Sequence, residues 1–257
     1  MRLRTRFEIA AAAAALGVFL LAAGCKSKSA PATQRLAAID WNTAGAIQGT
    51  IHYAGTPPKT IRIDMSQDPA CASAPPNYTE GTVVNQGGLA NVFIHVQTGL
   101  SGSTWAPPSQ PVVLDQKGCR YVPHVIGVMA GQPVKFVNSD PTTHAIDIAP
   151  TVAGNPTIDF SQAPGSAPDQ RTFPKPELMI PVRCAMHPWM QGFINVAANP
   201  FYAVSGAAGH YEIRGVPPGT YTLAADQESM GEKTVTITVG PKQTVTQDFT
   251  YGSSAAK

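Results

Sequence analysis

The sequence predicts an all-β protein, a β-sandwich followed by a second, smaller β module. Its 257 residues include 23 glycines and 24 prolines, which break helices and separate short strands. From position 46 onward, short runs rich in Val, Ile, Tyr, Phe and Thr alternate with turn residues, and no long segment of helical periodicity follows the N-terminal region. Short strands at such spacing are typical of a sandwich or a barrel.

The N-terminal segment has the pattern of an export signal. Arginines come first, and an uncharged run over residues 9–24 follows. This run is shorter than the roughly 20 residues that cross a bilayer, so residues 1–24 are predicted to be a signal peptide. The run leads into Leu-Ala-Ala-Gly-Cys, which is similar to a bacterial lipobox, so Cys25 is the predicted lipidation site. Ordinary cleavage to a soluble product is the alternative.

Residues 25–44 are small and polar and are predicted to be a flexible tether between membrane and domain. Lys26, where Asp would favour the inner membrane in known lipoproteins, favours the outer membrane, so the predicted location is the periplasm with a lipid anchor. Removing residues 1–24, with three Arg and one Glu, leaves 15 basic residues (18 − 3) and 15 acidic residues (16 − 1). A near-neutral chain has no basic field for nucleic acid.

The four cysteines separate by context. Cys25 is assigned to lipid, and export permits disulfides. The remaining number is odd, so one cysteine needs another role, and Cys184 lies in a metal-like cluster. Cys71 and Cys119 are then predicted to pair. A pairing of Cys119 with Cys184 stays open.

Residues 45–198 are predicted to form the larger domain. Its predicted strands cover residues 47–53, 91–96, 111–114, 134–138, 145–148 and 193–197. Residues 149–176, rich in Pro, Gly, Ser and Ala, are predicted to be a long excursion with little regular structure.

Residues 199–257 are predicted to form a β module, and every second residue is apolar over 234–239, as in a half-buried strand. Residues 201–251 carry a Gly-x-Tyr…Val-Pro-Pro-Gly-x-Tyr pattern, which resembles carboxypeptidase-regulatory-like, transthyretin-like sandwiches. The resemblance implies a structural module. Because about 50 residues is small for an independent core, we expect the module to pack on the first domain.

The chemically informative segment places Cys184, His187 and Met190 at the spacing C-x-x-H-x-x-M. His144, just after a predicted strand, offers a second imidazole. Two histidines and a cysteine with a weak axial methionine define blue-copper sites, because soft sulfur and imidazole suit copper. A short loop between two strands turns Cys184 and His187 toward one point, and Met190 approaches as the chain re-enters the sheet.

The segment from Asn138 to His144 and the cysteine loop resemble the cupredoxins, most closely the amicyanin and plastocyanin-like branch, over residues 46–198. The resemblance implies a Greek-key sandwich that holds one type 1 copper ion. The implied ligands are His144, Cys184 and His187 in the equatorial plane and Met190 on the axis. It also implies that Asn138 holds the ligand loops by hydrogen bonds. Where the family often has Asn directly after the first histidine, this chain has Ala145.

The resemblance further implies a carrier of single electrons, not an enzyme, that works between redox partners such as a cytochrome or an oxidoreductase. In cupredoxins the exposed edge of the loop histidine lies in an apolar docking patch. Here that implies electron exit at His187, with Pro188 and Trp189 in the patch. Such encounters use small, weak interfaces.

Each candidate has an alternative role. His144 is alternatively a turn-capping histidine, Met190 core filler, and Cys184 a disulfide partner or a free thiol. Met186 is a competing thioether whose side chain we expect to point away. His124 is a further candidate to approach the site, but we expect it to be a structural, hydrogen-bonded histidine.

The rival functions are a copper-binding or chaperone lipoprotein and a structural surface lipoprotein with a degenerate metal site. A binuclear copper centre needs two cysteines in one loop, and a multicopper oxidase needs far more than 6 histidines. Hydrolase chemistry has no supporting motif.

Overall fold

The structure is a computed structural model and describes residues 36–100 and 102–252. The predicted signal peptide and Cys25 lie outside these residues. In chain order the elements are β1 (Gly45–Ala54), α1 (Pro69–Ala72), β2 (Val84–Asn85), β3 (Gly88–Leu89), β4 (Phe93–Thr98), β5 (Val112–Gln116), β6 (Tyr121–Val122), β7 (Val125–Met129), β8 (Pro133–Asn138), β9 (His144–Ile148), β10 (Ile158–Gln162), β11 (Asp169–Thr172), β12 (Glu177–Cys184), β13 (Gln191–Ala197), β14 (Tyr202–Val204), β15 (His210–Val216), β16 (Gly219–Gln227), β17 (Gly231–Val239), β18 (Thr244–Thr246) and β19 (Phe249–Gly252). In the described ranges no helix is long and apolar enough to cross a membrane.

Strands β5 to β13 form the first sandwich. One sheet has the order β10-β9-β12-β13-β7 and the other β11-β8-β5-β6. Alternate residues of both sheets point inward, for example Leu114, Phe136, Ile146 and Val182, all fully buried in one core. The all-β class and the sandwich architecture are therefore confirmed.

Strands β1 to β4 and β14 to β19 form the second sandwich around a separate core. Strand β1 pairs with β15, β18 and β19, and β4 lies between β14 and β16. The predicted boundary between 45–198 and 199–257 is therefore wrong as a division of the cores, because strands β1, β3 and β4 complete the C-terminal module. The module obtains its core from these strands, since its own segment is too short to enclose one.

Two further predictions differ from the structure. Residues 149–176 contain β10 and β11, which extend the sheets by pairing with β9 and β8. Residues 36–44 of the predicted tether hydrogen-bond to the folded part: the Ala37 N–H donates to the Thr104 carbonyl, and the Lys242 N–H donates to the Thr43 carbonyl at 2.9 Å.

A cap segment, residues 61–81, lies between β1 and β2 of the second sandwich and contains α1. It folds back on itself through a bridge between Arg62 and Tyr78. Its buried Met65 and Cys71 pack into the core of the first sandwich. The predicted disulfide between Cys71 and Cys119 is confirmed, and it fastens the cap to that sandwich.

Candidate metal centre

The first sandwich places the candidate ligands at the ends of neighbouring strands. His144 begins β9 and Cys184 ends β12, and the two strands pair with Cys184 opposite Ile146. His187 lies in the short turn between β12 and β13, which the Met190 N–H closes by donating to the His187 carbonyl at 2.9 Å. The fold thus brings together three side chains from two separate stretches of sequence.

Three ligand atoms converge on one point. The Cys184 Sγ lies 3.6 Å from the His187 Nδ1 and 3.9 Å from the His144 Nδ1. The two Nδ1 atoms are 2.9 Å apart. All three side chains are buried, with exposed fractions of 0% for His144, 3% for Cys184 and 2% for His187. Cys184 is a free cysteine, so its sulfur is available to a metal.

Met190, the predicted axial ligand, is 1% exposed and packs in the same core as Cys184. Its carbonyl accepts a hydrogen bond from the Cys184 N–H at 3.3 Å, so the end of the turn folds back over the cysteine. The Met190 side chain is thus a buried thioether in the turn that carries His187.

Asp140 holds the outer side of His144. Its Oδ2 accepts a hydrogen bond from the His144 Nε2 at 3.0 Å, and its two oxygens also accept from the backbone N–H groups of Gly118 and Cys119. A carboxylate only accepts here, so Nε2 carries the hydrogen and Nδ1 presents its lone pair. Burial lowers the pKa of His144, which favours the neutral imidazole that binds metals, although the bond to Asp140 opposes this shift.

Asp68 does the same for His187. Its Oδ2 accepts from the His187 Nε2 at 2.9 Å and from the Thr142 hydroxyl at 2.7 Å. The bond from Thr142, with those from His187 and the α1 backbone, outweighs burial and lowers the pKa of Asp68 to about 2. Both candidate histidines therefore turn an Nε2–H toward a carboxylate and an Nδ1 toward Cys184.

Asn138 braces the loop before His144. Its side-chain amide donates to the carbonyls of Thr142, at 2.8 Å, and Gln162, at 2.9 Å, and its oxygen accepts from the Asp140 N–H. These bonds hold the loop between β8 and β9. The backbone N–H of Ala145 lies 3.4 Å from the Cys184 sulfur, so a hydrogen bond to sulfur is made without an asparagine side chain at that position.

Two competing residues do not join the cluster. Met186 is 52% exposed. His124 is buried but hydrogen-bonds the Gln191 carbonyl at 3.1 Å and the Glu228 carboxylate at 2.6 Å. Burial lowers the pKa of His124, but the bond to Glu228 and the charges of Glu228 and Glu80 outweigh it and raise the pKa overall.

The expected exposed edge of His187 is not present. Pro188 is exposed and Trp189 is half-buried, but the His187 ring lies under Asp68 and α1, with Cys71 Sγ 3.8 Å from its Nε2. The expectation is corrected because the cap segment covers the face where a cupredoxin histidine would meet solvent. The Trp189 ring lies 5.1 Å from the His187 ring, centroid to centroid, and its Nε1 donates to the Cys119 carbonyl.

Sequence reasoning missed both carboxylates. Asp140 lies between Asn138 and His144, four residues before His144. The sequence could therefore have indicated that this carboxylate is close to the histidine. Asp68 precedes Pro69, the usual signature of an N-cap followed by proline, which predicts the helix start. Nothing local indicates that this helix lies on His187, which is 119 residues away.

Comparison with known proteins gives a family assignment for the C-terminal part alone. Residues 194–252 match the carboxypeptidase regulatory-like domain family. This range begins within β13, and it excludes β1 to β4, which complete the core of the second sandwich. No curated protein is significantly similar to this chain.

Solved structures similar to part of the chain include a copper-containing nitrite reductase, amicyanin and a purple cupredoxin. The copper-containing nitrite reductase from Thermus scotoductus SA-01 is 24% identical with a TM-score of 0.32; the match covers 40% of this chain and 26% of the reductase. A reduced mutant of amicyanin is 20% identical with a TM-score of 0.31, covering 36% and 92%. A purple cupredoxin from Nitrosopumilus maritimus is 17% identical with a TM-score of 0.28, covering 34% and 99%. At these values a functional proposal has to rest on the side chains of this chain.

Proposed function

We propose that this protein holds one copper ion at His144, Cys184, His187 and Met190 and transfers single electrons. The observation that carries the proposal is the meeting of two imidazole Nδ1 atoms and one free cysteine sulfur in a buried pocket. With each Nε2–H donated to a carboxylate, the two Nδ1 atoms each carry a lone pair and lie 2.9 Å apart. Lone pairs this close repel unless a cation lies between them.

The donor set favours copper among the cations. Two histidines and a cysteine also suit zinc, which binds thiolate and imidazole in tetrahedral sites. The buried thioether of Met190 in the same turn tips the preference toward copper. Copper in this pocket would supply a one-electron couple.

Burial argues for an electron carrier in preference to an enzyme. The three converging side chains are at most 3% exposed, so the described residues leave no open face at the centre for a substrate. The second candidate, a copper-binding or delivery lipoprotein, would need an accessible site for transfer. The cap segment and its disulfide close the site, which favours retention of the metal over its release.

Repeated oxidation and reduction of the copper-loaded protein tests the choice between these functions. We expect the full chain to keep one equivalent of copper through many cycles, because the buried ligands are held in place by hydrogen bonds in either state. The measurement is a reversible voltammogram, followed by metal analysis after desalting. Loss of copper on each reduction would support delivery and contradict the electron-carrier proposal.

For the partner surface we propose the exposed Pro188 with Trp189 beneath it. His187 does not reach solvent, so Trp189, the aromatic ring beside it, is the route by which electrons cross to a redox protein such as a cytochrome or an oxidoreductase. Small, weak contacts suit such transfer.

Replacing Trp189 with alanine is expected to slow electron transfer to the partner at least about tenfold, as for loss of an interface residue worth about 1.4 kcal/mol. The reduction potential should stay unchanged. Trp41→Ala is the matched control, because Trp41 is 62% exposed and belongs to the segment before the second sandwich. Stopped-flow rates equal in the two variants would contradict the proposed route.

We also propose export to the periplasm with a lipid on Cys25, more readily at the outer than the inner membrane. The Cys71–Cys119 disulfide supports export, because such bonds persist in oxidising compartments.

A further inference from the structure

One carboxylate joins the cap segment to both ligand loops. The Asp68 Oδ1 accepts from the backbone N–H groups of Ala70, at 2.8 Å, and Cys71, at 3.3 Å, so Asp68 is the N-cap of α1. Its other oxygen, Oδ2, accepts from Thr142 and from the His187 Nε2. Capping of α1 uses Oδ1 alone, and Oδ2 is left to contact the loop and the ring of the candidate metal centre.

The disulfide holds this carboxylate in place from behind. Cys71 lies in α1, in the first turn after the N-cap Asp68, and its sulfur is bonded to Cys119. The Cys119 N–H donates to Asp140, the carboxylate on the other histidine, at 2.8 Å. A continuous series of hydrogen bonds and one disulfide therefore links the two histidines. It leads from His187 through Asp68 to Cys71, and from Cys119 through Asp140 to His144.

Hydrogen-bonded carboxylates behind metal-bound histidines have two physical effects. They orient the ring and fix which nitrogen carries the hydrogen, and their loss typically weakens metal binding about 10–100-fold. They also place negative charge a short distance from the metal, which stabilises the more highly charged metal ion over the less charged one.

We propose that Asp68 is a positioning residue of the metal centre: it holds His187 with Nδ1 toward Cys184, keeps the metal in the site, and favours its divalent state. The proposal rests on the proposed copper function for its redox part. It assigns a role to the cap segment, which covers the centre in this chain. Asp68 acts through His187 and does not touch the metal.

The substitution Asp68→Asn separates this role from helix capping. Asn is as good an N-cap as Asp, so α1 and the disulfide are expected to stay in place. The amide has no negative charge, and with its single oxygen on the α1 backbone it presents an NH2 donor to His187, which cannot accept the Nε2–H. Asp64→Asn is the matched control: Asp64 lies in the same cap segment, is exposed, and accepts a backbone hydrogen bond from Ser66 at 3.0 Å, away from the ligands.

The reduction potential of the copper-loaded full chain is the first readout. In Asp68→Asn we expect the ratio of Cu(II) to Cu(I) affinity to fall about tenfold, which raises the potential by about 59 mV for one electron. In Asp64→Asn we expect the potential of the unaltered protein. A purely structural role for Asp68 would not move the potential, so equal potentials in the two variants would overturn the proposal.

Zinc affinity, measured by chelator competition, is the second readout and needs no redox chemistry. We expect it to fall about 10–100-fold in Asp68→Asn and to stay unchanged in Asp64→Asn. If the unaltered protein shows no thiolate-to-copper band, the copper function fails, and the zinc readout still decides whether Asp68 holds His187. If the band is present and Asp68→Asn matches Asp64→Asn in both reduction potential and zinc affinity, the copper function stands and the role proposed for Asp68 is wrong.

Discussion

Replacing both Cys71 and Cys119 with serine is expected to lower the free energy of unfolding of the metal-free protein by about 4 kcal/mol. The disulfide closes a loop with a sequence separation of 48, and a cross-link of that span restricts the unfolded chain by about this amount in the chain-entropy model. Both sulfurs are fully buried, so the serine hydroxyls add a desolvation cost. Urea denaturation followed by tryptophan fluorescence measures the change.

Cys184→Ser is the control for this measurement. It also places a hydroxyl at a buried cysteine, but it removes no cross-link. We expect the double variant to lose far more than twice the stability that Cys184→Ser loses. A double variant that loses no more than twice the stability lost by Cys184→Ser would contradict the predicted contribution of the cross-link. Because the cap segment carries Asp68, we also expect the double variant to bind metal more weakly than the unaltered protein does.

Local sequence spacing was sufficient to group three of the four candidate ligands. Cys184, His187 and Met190 lie in a single turn, where three-residue steps bring side chains to a common side. His144 was predicted from the segment that begins at Asn138. The structure brings the two histidines and Cys184 together and buries Met190 beside Cys184.

Long-range pairing was not readable from the sequence. The alternation in β1 shows a half-buried strand, but alternation does not identify the strand beside it. Its partners β15, β18 and β19 lie beyond the whole first sandwich, so the prediction assigned β1 to the wrong core. For the same reason, the sequence did not show the contact of Asp68 with His187. This contact explains why the edge of the His187 ring is covered.

The visible and EPR spectra of the protein with one equivalent of Cu(II), recorded for the unaltered chain and for Cys184→Ser, test the central claim most directly. We predict an intense thiolate-to-copper charge-transfer band with narrow parallel hyperfine splitting, because the Cys184 sulfur lies beside both imidazole Nδ1 atoms. Serine offers no thiolate, so the band should be absent from Cys184→Ser. A pale spectrum that is the same in both proteins would contradict a copper centre built on Cys184.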